Sequence, residues 1–306
     1  SMTAPQITAK SWLMIATLGL TWGATFLVIE VALRGITPFW LAAGRIGFAA
    51  ALMVVVWHLR GKPVFTSEAR DWPGLVGVAA LSSALPFSLL SWGQQYVTSG
   101  FAGVSMAAVA LIVLPMAHVL VPGERMTLRK LAGFVIGFSG VVVLIGGQAF
   151  ESSGSAMEPW GRLACLGTAT CYAMSSIFMR RLPPADPIGL ATMLLVFGAV
   201  LVIPVAWAVE GPPPLPPRET LLVVAGLGLI PTAAANILRV IVVRSAGPVF
   251  MSLVNYQVPI WSVVLGSLIL SEPLPPSLLW ALALILMGVM VSQWGALMRL
   301  FAGRRR

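Results

Sequence analysis

The chain has 306 residues, 58% of them hydrophobic and only 9% charged, with a formal net charge of +9. A soluble domain carries roughly 25% charged residues, so this composition excludes one and points to a bilayer. Apolar runs of ~20 residues recur throughout, too long and too uniform for barrel strands, so the expected fold class is an all-α membrane protein.

Ten spans can be marked off, at roughly 11–33, 38–59, 72–96, 100–121, 127–147, 160–179, 187–209, 219–243, 247–270 and 277–298. The first is long and closely followed by the second, so it is expected to be retained and not cleaved as a signal peptide. The first span carries Trp22, Thr25, Phe26 and Glu30, and the second opens at Pro38 and holds Arg45. The third contains Ser82, Ser83, Pro86 and Trp92, and the fourth Met106, Pro115 and His118. Gly133, Gly137 and Gly140 recur at helical spacing on the fifth, which permits close helix approach, within one repeat or between two copies of the chain. The sixth offers Tyr172 and Ser176, the eighth Pro231 and Asn236, and the ninth "NYQVP", Asn255 to Pro259, then Trp261.

Lys and Arg are distributed unevenly over the loops. If the termini and the loops after even-numbered spans share a side, that side holds fifteen of the nineteen: Lys10, Arg60, Lys62, Arg70, Arg125, Arg129, Lys130, Arg180, Arg181, Arg239, Arg244, Arg299, Arg304, Arg305 and Arg306. The other side keeps Arg34, Arg162 and Arg218. Both termini are therefore expected in the cytoplasm of a bacterial inner-membrane protein, and the basic balance reports topology, with no nucleic-acid partner. Cys165 and Cys171 lie about 240° apart on one helix and cannot pair with each other.

The second half repeats the first at an offset near 145. Thr37-Pro38 corresponds to Asp186-Pro187, Pro86 to Pro231, Pro115 to Pro259, "VPGERM" to "LSEPLP", and "GVVVLI" to "GVMVSQ". Five spans per half is an odd number, so the second half must enter the membrane from the opposite face. That inverted repeat is the architecture of many secondary transporters, with substrate bound near the midplane between the halves.

"TWGATFLVIE", "TPFWLAAGRIGFAAAL" and "VPGERMTLRKLAGFVIGFSGVVVLI" together resemble the EamA repeat of the drug/metabolite transporter superfamily. The resemblance covers nearly the whole chain, as units over 10–147 and 160–298 followed by a basic tail, 299–306. It is most similar to bacterial amino-acid exporters, with the aromatic amino-acid exporter of the YddG type as one candidate. The second half departs from the pattern at Tyr172-Ala173, opposite Trp22-Gly23, and at Leu194, opposite Arg45.

The expected function is export of small amphipathic metabolites, chiefly amino acids with aromatic or apolar side chains, by alternating access, with no enzymatic activity. Such a zwitterion needs aromatic walls and a few polar groups. The candidates are Trp22, Thr25, Phe26, Ser82, Ser83, Trp92, Met106, Tyr172, Ser176, Asn236, Asn255, Tyr256, Gln257 and Trp261, with the polar trio of the ninth span as the main contact for the substrate's polar end. For each hydroxyl the competing reading is helix packing. Pro86, Pro115, Pro231 and Pro259 are candidate hinges.

No GxxxxGK[ST] loop or HExxH occurs, so neither ATP, another cofactor nor a metal is expected. Glu30 is the only carboxylate clearly within a span and reads as a partner for Arg34 or Arg45, which favours a facilitator or exchanger. The rival is a proton-coupled exporter of lipophilic cations. His118 and His58 read as interfacial, as do Trp12, Trp40, Trp57, Trp72, Trp160 and Trp294.

Overall fold

The computed structural model describes residues 7–146 and 156–302, so residue 147 and Arg304, Arg305 and Arg306 lie outside the described residues. Ten long helices follow in order: α1 Ala9–Ala32, α2 Pro38–Leu59, α3 Trp72–Gly93, α4 Ser99–Leu120, α5 Leu128–Gly146, α6 Glu158–Met179, α7 Pro187–Glu210, α8 Arg218–Ala246, α9 Pro248–Leu270 and α10 Pro276–Ser292. A short helix, α11 Trp294–Ala302, turns 65° away from α10. No strand occurs among the described residues.

Eight of these helices are long and apolar enough to cross a membrane, or nine if α10 and α11 form one bent span. The tenth expected span, α6, has 22 residues but is diluted by Glu158, Arg162, Thr168, Thr170, Ser175 and Ser176. Large apolar side chains such as Leu13, Val55, Val135, Phe138, Val200 and Leu268 face outward. Left in water such a perimeter would aggregate, whereas lipid accepts it.

Local chemistry sets the helix starts. The carboxylates of Asp71 and Asp186 accept the Gly74 and Gly189 N–H at 2.9 and 3.0 Å, and Thr98 Oγ1 accepts that of Phe101 at 3.1 Å. Pro38, Pro187, Pro248 and Pro276 begin their helices, where a missing N–H costs nothing. The repeated Thr-Pro and Asp-Pro pairs are therefore cap and first helical residue. Between α8 and α9 the chain reverses at Gly247, whose φ of 89° favours a residue without a Cβ.

The packing follows the repeat. Helices α2 and α7, α4 and α9, and α5 and α10 form three close pairs, each joining equivalent helices of the two halves. All three run antiparallel. In the first, Glu210 accepts from the Phe39 N–H while Thr192 Oγ1 donates to Met53 O. Along the second, Glu272 meets Ser99 and Ser262 lies by Gly103. In the third, Gly133 faces Ser292 and Gly140 faces Leu284. This is the geometry of an inverted repeat. The first helices exchange partners accordingly: α1 packs on α8 and α9, and α6 on α3 and α4.

Several expectations are corrected. Gly133 and Gly140 of α5 close the contact to α10 between the repeats, whereas Gly137 faces Leu111 of α4 inside the first repeat, so the stripe serves packing both within and between the repeats. Trp40 is buried, its indole N–H donating to Gly211 O at 3.1 Å, and does not sit in an interfacial belt. Arg239 lies inside α8 and does not belong to the loop charges.

Irregular turns also recur in both halves. The third helix of each repeat carries a π turn, at Ala80–Ala84 in α3 and Gly228–Ala234 in α8. There the Leu85 N–H bonds Ala80 O and the Ala235 N–H bonds Ile230 O, one residue further back than in an α-helix. In α4 the helix is interrupted at Ala108, and in α9 at Ser252 and Leu253, each about two turns ahead of Pro115 or Pro259.

Candidate functional site

Helical periodicity identifies which polar side chains point inward. Trp22 is one turn from the buried Leu18 and Phe26, and Tyr172 packs with the cluster containing Phe87 and Ile46. Ser176, Arg239 and Asn255 are all exposed, yet neighbours on the same helical faces are buried: Ala169 and Ala173 for Ser176, Thr232 and Ala235 for Arg239, Pro259 and Ser262 for Asn255. Exposure on an inward face means that these three border interior space.

The centre is tied across the repeats. The Trp22 indole N–H donates to Pro231 O at 2.9 Å. That oxygen would take the Ala235 N–H in a regular helix, but the π turn sends this donor to Ile230. One residue on, Thr232 Oγ1 accepts from Arg45 Nε at 2.9 Å and donates to Leu227 O at 2.8 Å. The Arg45 guanidinium lies 3.8 Å from the centre of the Phe87 ring, a cation–π contact strengthened by dry surroundings.

One end of the bundle is latched. The Glu272 carboxylate, in the loop after α9, accepts from Ser99 N–H at 2.9 Å, Gly100 N–H at 3.2 Å and Ser99 Oγ at 2.8 Å. It thereby ties the second repeat to the N-terminus of α4, where an anion is favoured. Gly266 leaves room for that carboxylate, since a Cβ there would strike it. Glu210 accepts the Phe39 and Trp40 N–H at 3.2 and 3.0 Å at the same end.

At the opposite end α4 and α9 part, while Arg60–Asp186 at 3.1 Å and Glu124–Arg180 still tie the two repeats together. Beyond Ala108, α4 leaves α9 and packs on α6. Glu124, the repeat counterpart of Glu272, there holds Arg180 Nη1 at 2.7 Å and does not reach α9. Ser176, Arg239 and Asn255 all lie in the halves of their helices nearer this end.

Other candidates have local commitments. Thr25 Oγ1 donates to Thr21 O, Ser83 Oγ to Ala79 O, and Asn236 Nδ2 to Thr232 O at 2.6 Å. Ser82 is half-buried at the π turn, Trp92 packs on Tyr96, Phe26 is buried, and Met106 packs against the core with it. Within the ninth-span trio, Tyr256 donates to Gln293 Oε1 at 2.8 Å, Gln257 covers Gly19, and Asn255 alone borders interior space. Trp261 lies over Gly23. Pro86 and Pro231 border or occupy the π turns, while Pro115 and Pro259 sit inside regular helix.

Glu30 departs from expectation. Its carboxylate accepts from Gln94 Nε2 at 3.2 Å and forms no ion pair with Arg34 or Arg45 among the described residues. His118 Nδ1 accepts from the Met126 N–H at 3.0 Å, which fixes a helix end. Arg45 and Arg239 were absent from the candidates, although Arg239 falls within the expected span 219–243, and that position was the available signal.

An all-helical membrane bundle of two inverted repeats, with a polar interior latched at one end, defines a secondary-transporter architecture. The chain belongs to the EamA-like transporter family, which matches residues 9–146 and 159–294. Protein PagO of Salmonella typhimurium is 30% identical over 49% of this chain and 48% of its own length, so the match spans about half of that relative. The "Uncharacterized inner membrane transporter YedA" of Escherichia coli K12 is 25% identical over 90% of this chain and 88% of its own. The "Probable terminal-alkyne amino-acid exporter" of Streptantibioticus cattleyicolor is 28% identical over 98% of this chain and 97% of its own. A crystal structure 21% identical covers 94% of this chain and 98% of its own with a TM-score of 0.63, and shows the shared fold.

Proposed function

We propose that the protein exports small amphipathic metabolites, namely amino acids with aromatic or apolar side chains, by alternating access. All ten long helices cross the inner membrane in this reading, both termini are cytoplasmic, and the latched end faces outward. The observation that carries it is the inward-facing set Trp22, Tyr172, Ser176, Arg239 and Asn255, which combines aromatic surface with polar heads beneath one closed end. The relative named as an amino-acid exporter, matched end to end, supports the substrate class. Inward polar groups bind the zwitterion, and the interrupted helices α4 and α9, with their prolines, move as gates while the tightly packed pair α5 and α10 stays fixed.

Uptake of labelled amino acids into protein-only liposomes, with and without an imposed pH gradient, tests the reading. Saturable flux of aromatic amino acids without a gradient is expected, and absence of flux for every amino acid overturns it. The second reading, proton-coupled export of lipophilic cations, draws on Glu30, whose partner is an amide and not a cation. It requires gradient-dependent flux that Glu30→Gln abolishes.

A further inference from the structure

Arg45 is a cation inside the bundle whose partners among the described residues are all neutral. It is 93% buried by its 7% exposure, and no carboxylate pairs with it among the described residues. An uncompensated charge in such surroundings is costly, and in membrane helices it usually marks a functional position. Its three nitrogens differ sharply in use. Nε is committed to Thr232 Oγ1, and Phe87 covers one face of the guanidinium plane. Among the described residues the two terminal nitrogens have no acceptor, yet they are not sealed off as Gln94 Oε1 is, so they border open space.

The surroundings of that open edge are also specific. Tyr172 packs against the cluster that contains Phe87. Trp22 bonds Pro231, next to the threonine that orients Arg45. A fixed guanidinium with two parallel donors beside aromatic rings fits a planar carboxylate carried on an apolar body. The carboxylate of α1, Glu30, takes its hydrogen bond from Gln94.

We propose that Arg45 is the carboxylate-binding residue of the interior site, with Thr232 and Phe87 as positioning residues and an organic carboxylate as the anion that completes it. The inference rests on the transport reading but not on the amino group of the substrate. The second repeat has Leu194 at the matching position, packed in an apolar cluster, so the site is single and lies off the pseudo-twofold relation.

Binding to the purified full chain tests it, with two acid–amide pairs as probes, L-phenylalanine with L-phenylalaninamide and phenylacetate with phenylacetamide. The expected result is that at least one free acid binds roughly 10- to 100-fold more tightly than its carboxylate-free counterpart, the range for a hydrogen bond to a charged group. Arg45→Gln removes that preference, Arg45→Lys keeps part of it, and Arg218→Gln, at the exposed start of α8, leaves the ratio intact. Equal affinities for acid and amide in both pairs in the unmodified protein overturn the proposal, as does an unchanged ratio in Arg45→Gln. Should Arg45→Gln fail to fold, the acid-to-amide ratio in the unmodified protein and in Thr232→Val decides: the proposal stands on a preference that weakens in Thr232→Val and falls on one that does not. Preferential binding of phenylacetate with no amino-acid binding sinks the amino-acid reading while upholding Arg45. Amino acids that bind, with neither these nor phenylacetate bound better than the matching amide, sink Arg45 and leave the exporter reading standing.

Discussion

Three consecutive polar residues in α9 show how a single side chain's role depends on its angle around the helix. Successive residues are turned by about 100°, so Asn255, Tyr256 and Gln257 cannot share one environment. Tyr256 reaches α10 through Gln293, Gln257 covers Gly19 of α1, and only Asn255 borders the interior. Asn255→Ala should therefore weaken apparent substrate affinity while leaving thermal stability unchanged. Tyr256→Phe should do the reverse, costing about 1 kcal/mol of stability through one lost hydrogen bond with flux retained. Thermal unfolding in detergent and flux kinetics of both variants check the pair, and matching profiles would remove the distinction. The sequence identified the trio as unusual in an apolar span but not which member stayed uncommitted, because that depends on neighbours contributed by α1 and α10. Arg45 is similar: its place in a span was legible, while its lack of an anionic partner depends on how α2, α3 and α8 converge.

At the level of helices, composition and turn chemistry made the spans and their starts readable. The repeated X-Pro pairs became cap and first residue as capping chemistry requires. The π turns of α3 and α8 were not readable beyond the prolines near them, since an extra residue in a turn leaves no periodic signature in a uniformly apolar run. Glycines show the same limit, because their spacing does not name the helix they meet. A Cβ on Gly288 would press into backbone atoms of α5 at Gly133 and Gly137, whereas one on Gly47 of α2 meets open space. Gly288→Ala should accordingly cost about 1–3 kcal/mol, as overpacking does. Gly47→Ala should be neutral or slightly stabilising, by up to about 1 kcal/mol from helix propensity. Unfolding midpoints of the two variants test this, and equal midpoints would mean that α5 and α10 are not held backbone to backbone.

For the whole molecule, inversion implies two ends built from equivalent parts in different states. Glu272 and Glu124 occupy corresponding positions, in "LSEPLP" and "VPGERM", and both reach the other repeat, but Glu272 does so at the buried start of α4 and Glu124 through the exposed Arg180. Its carboxylate takes two N–H groups and a hydroxyl, each worth about 1.5–3 kcal/mol when the acceptor is charged. Only part of that total favours the latched state, because water satisfies the same groups after opening. Glu272→Gln keeps the shape and one acceptor but removes the charge that the helix N-terminus favours. Amide hydrogen exchange over Ser99–Ala107 should then quicken by about tenfold or more, while the α5 and α10 segments, which pack independently of the latch, stay unchanged. Removing this latch should also shift the population toward opening at the latched end, slowing any step that needs that end closed. Unaltered exchange at α4 in Glu272→Gln would mean that closure rests on the apolar contact of α4 with α9, and that the carboxylate only caps a helix. A change spread evenly over all helices would instead indicate general loss of packing, and the comparison of α4 with α5 separates the two.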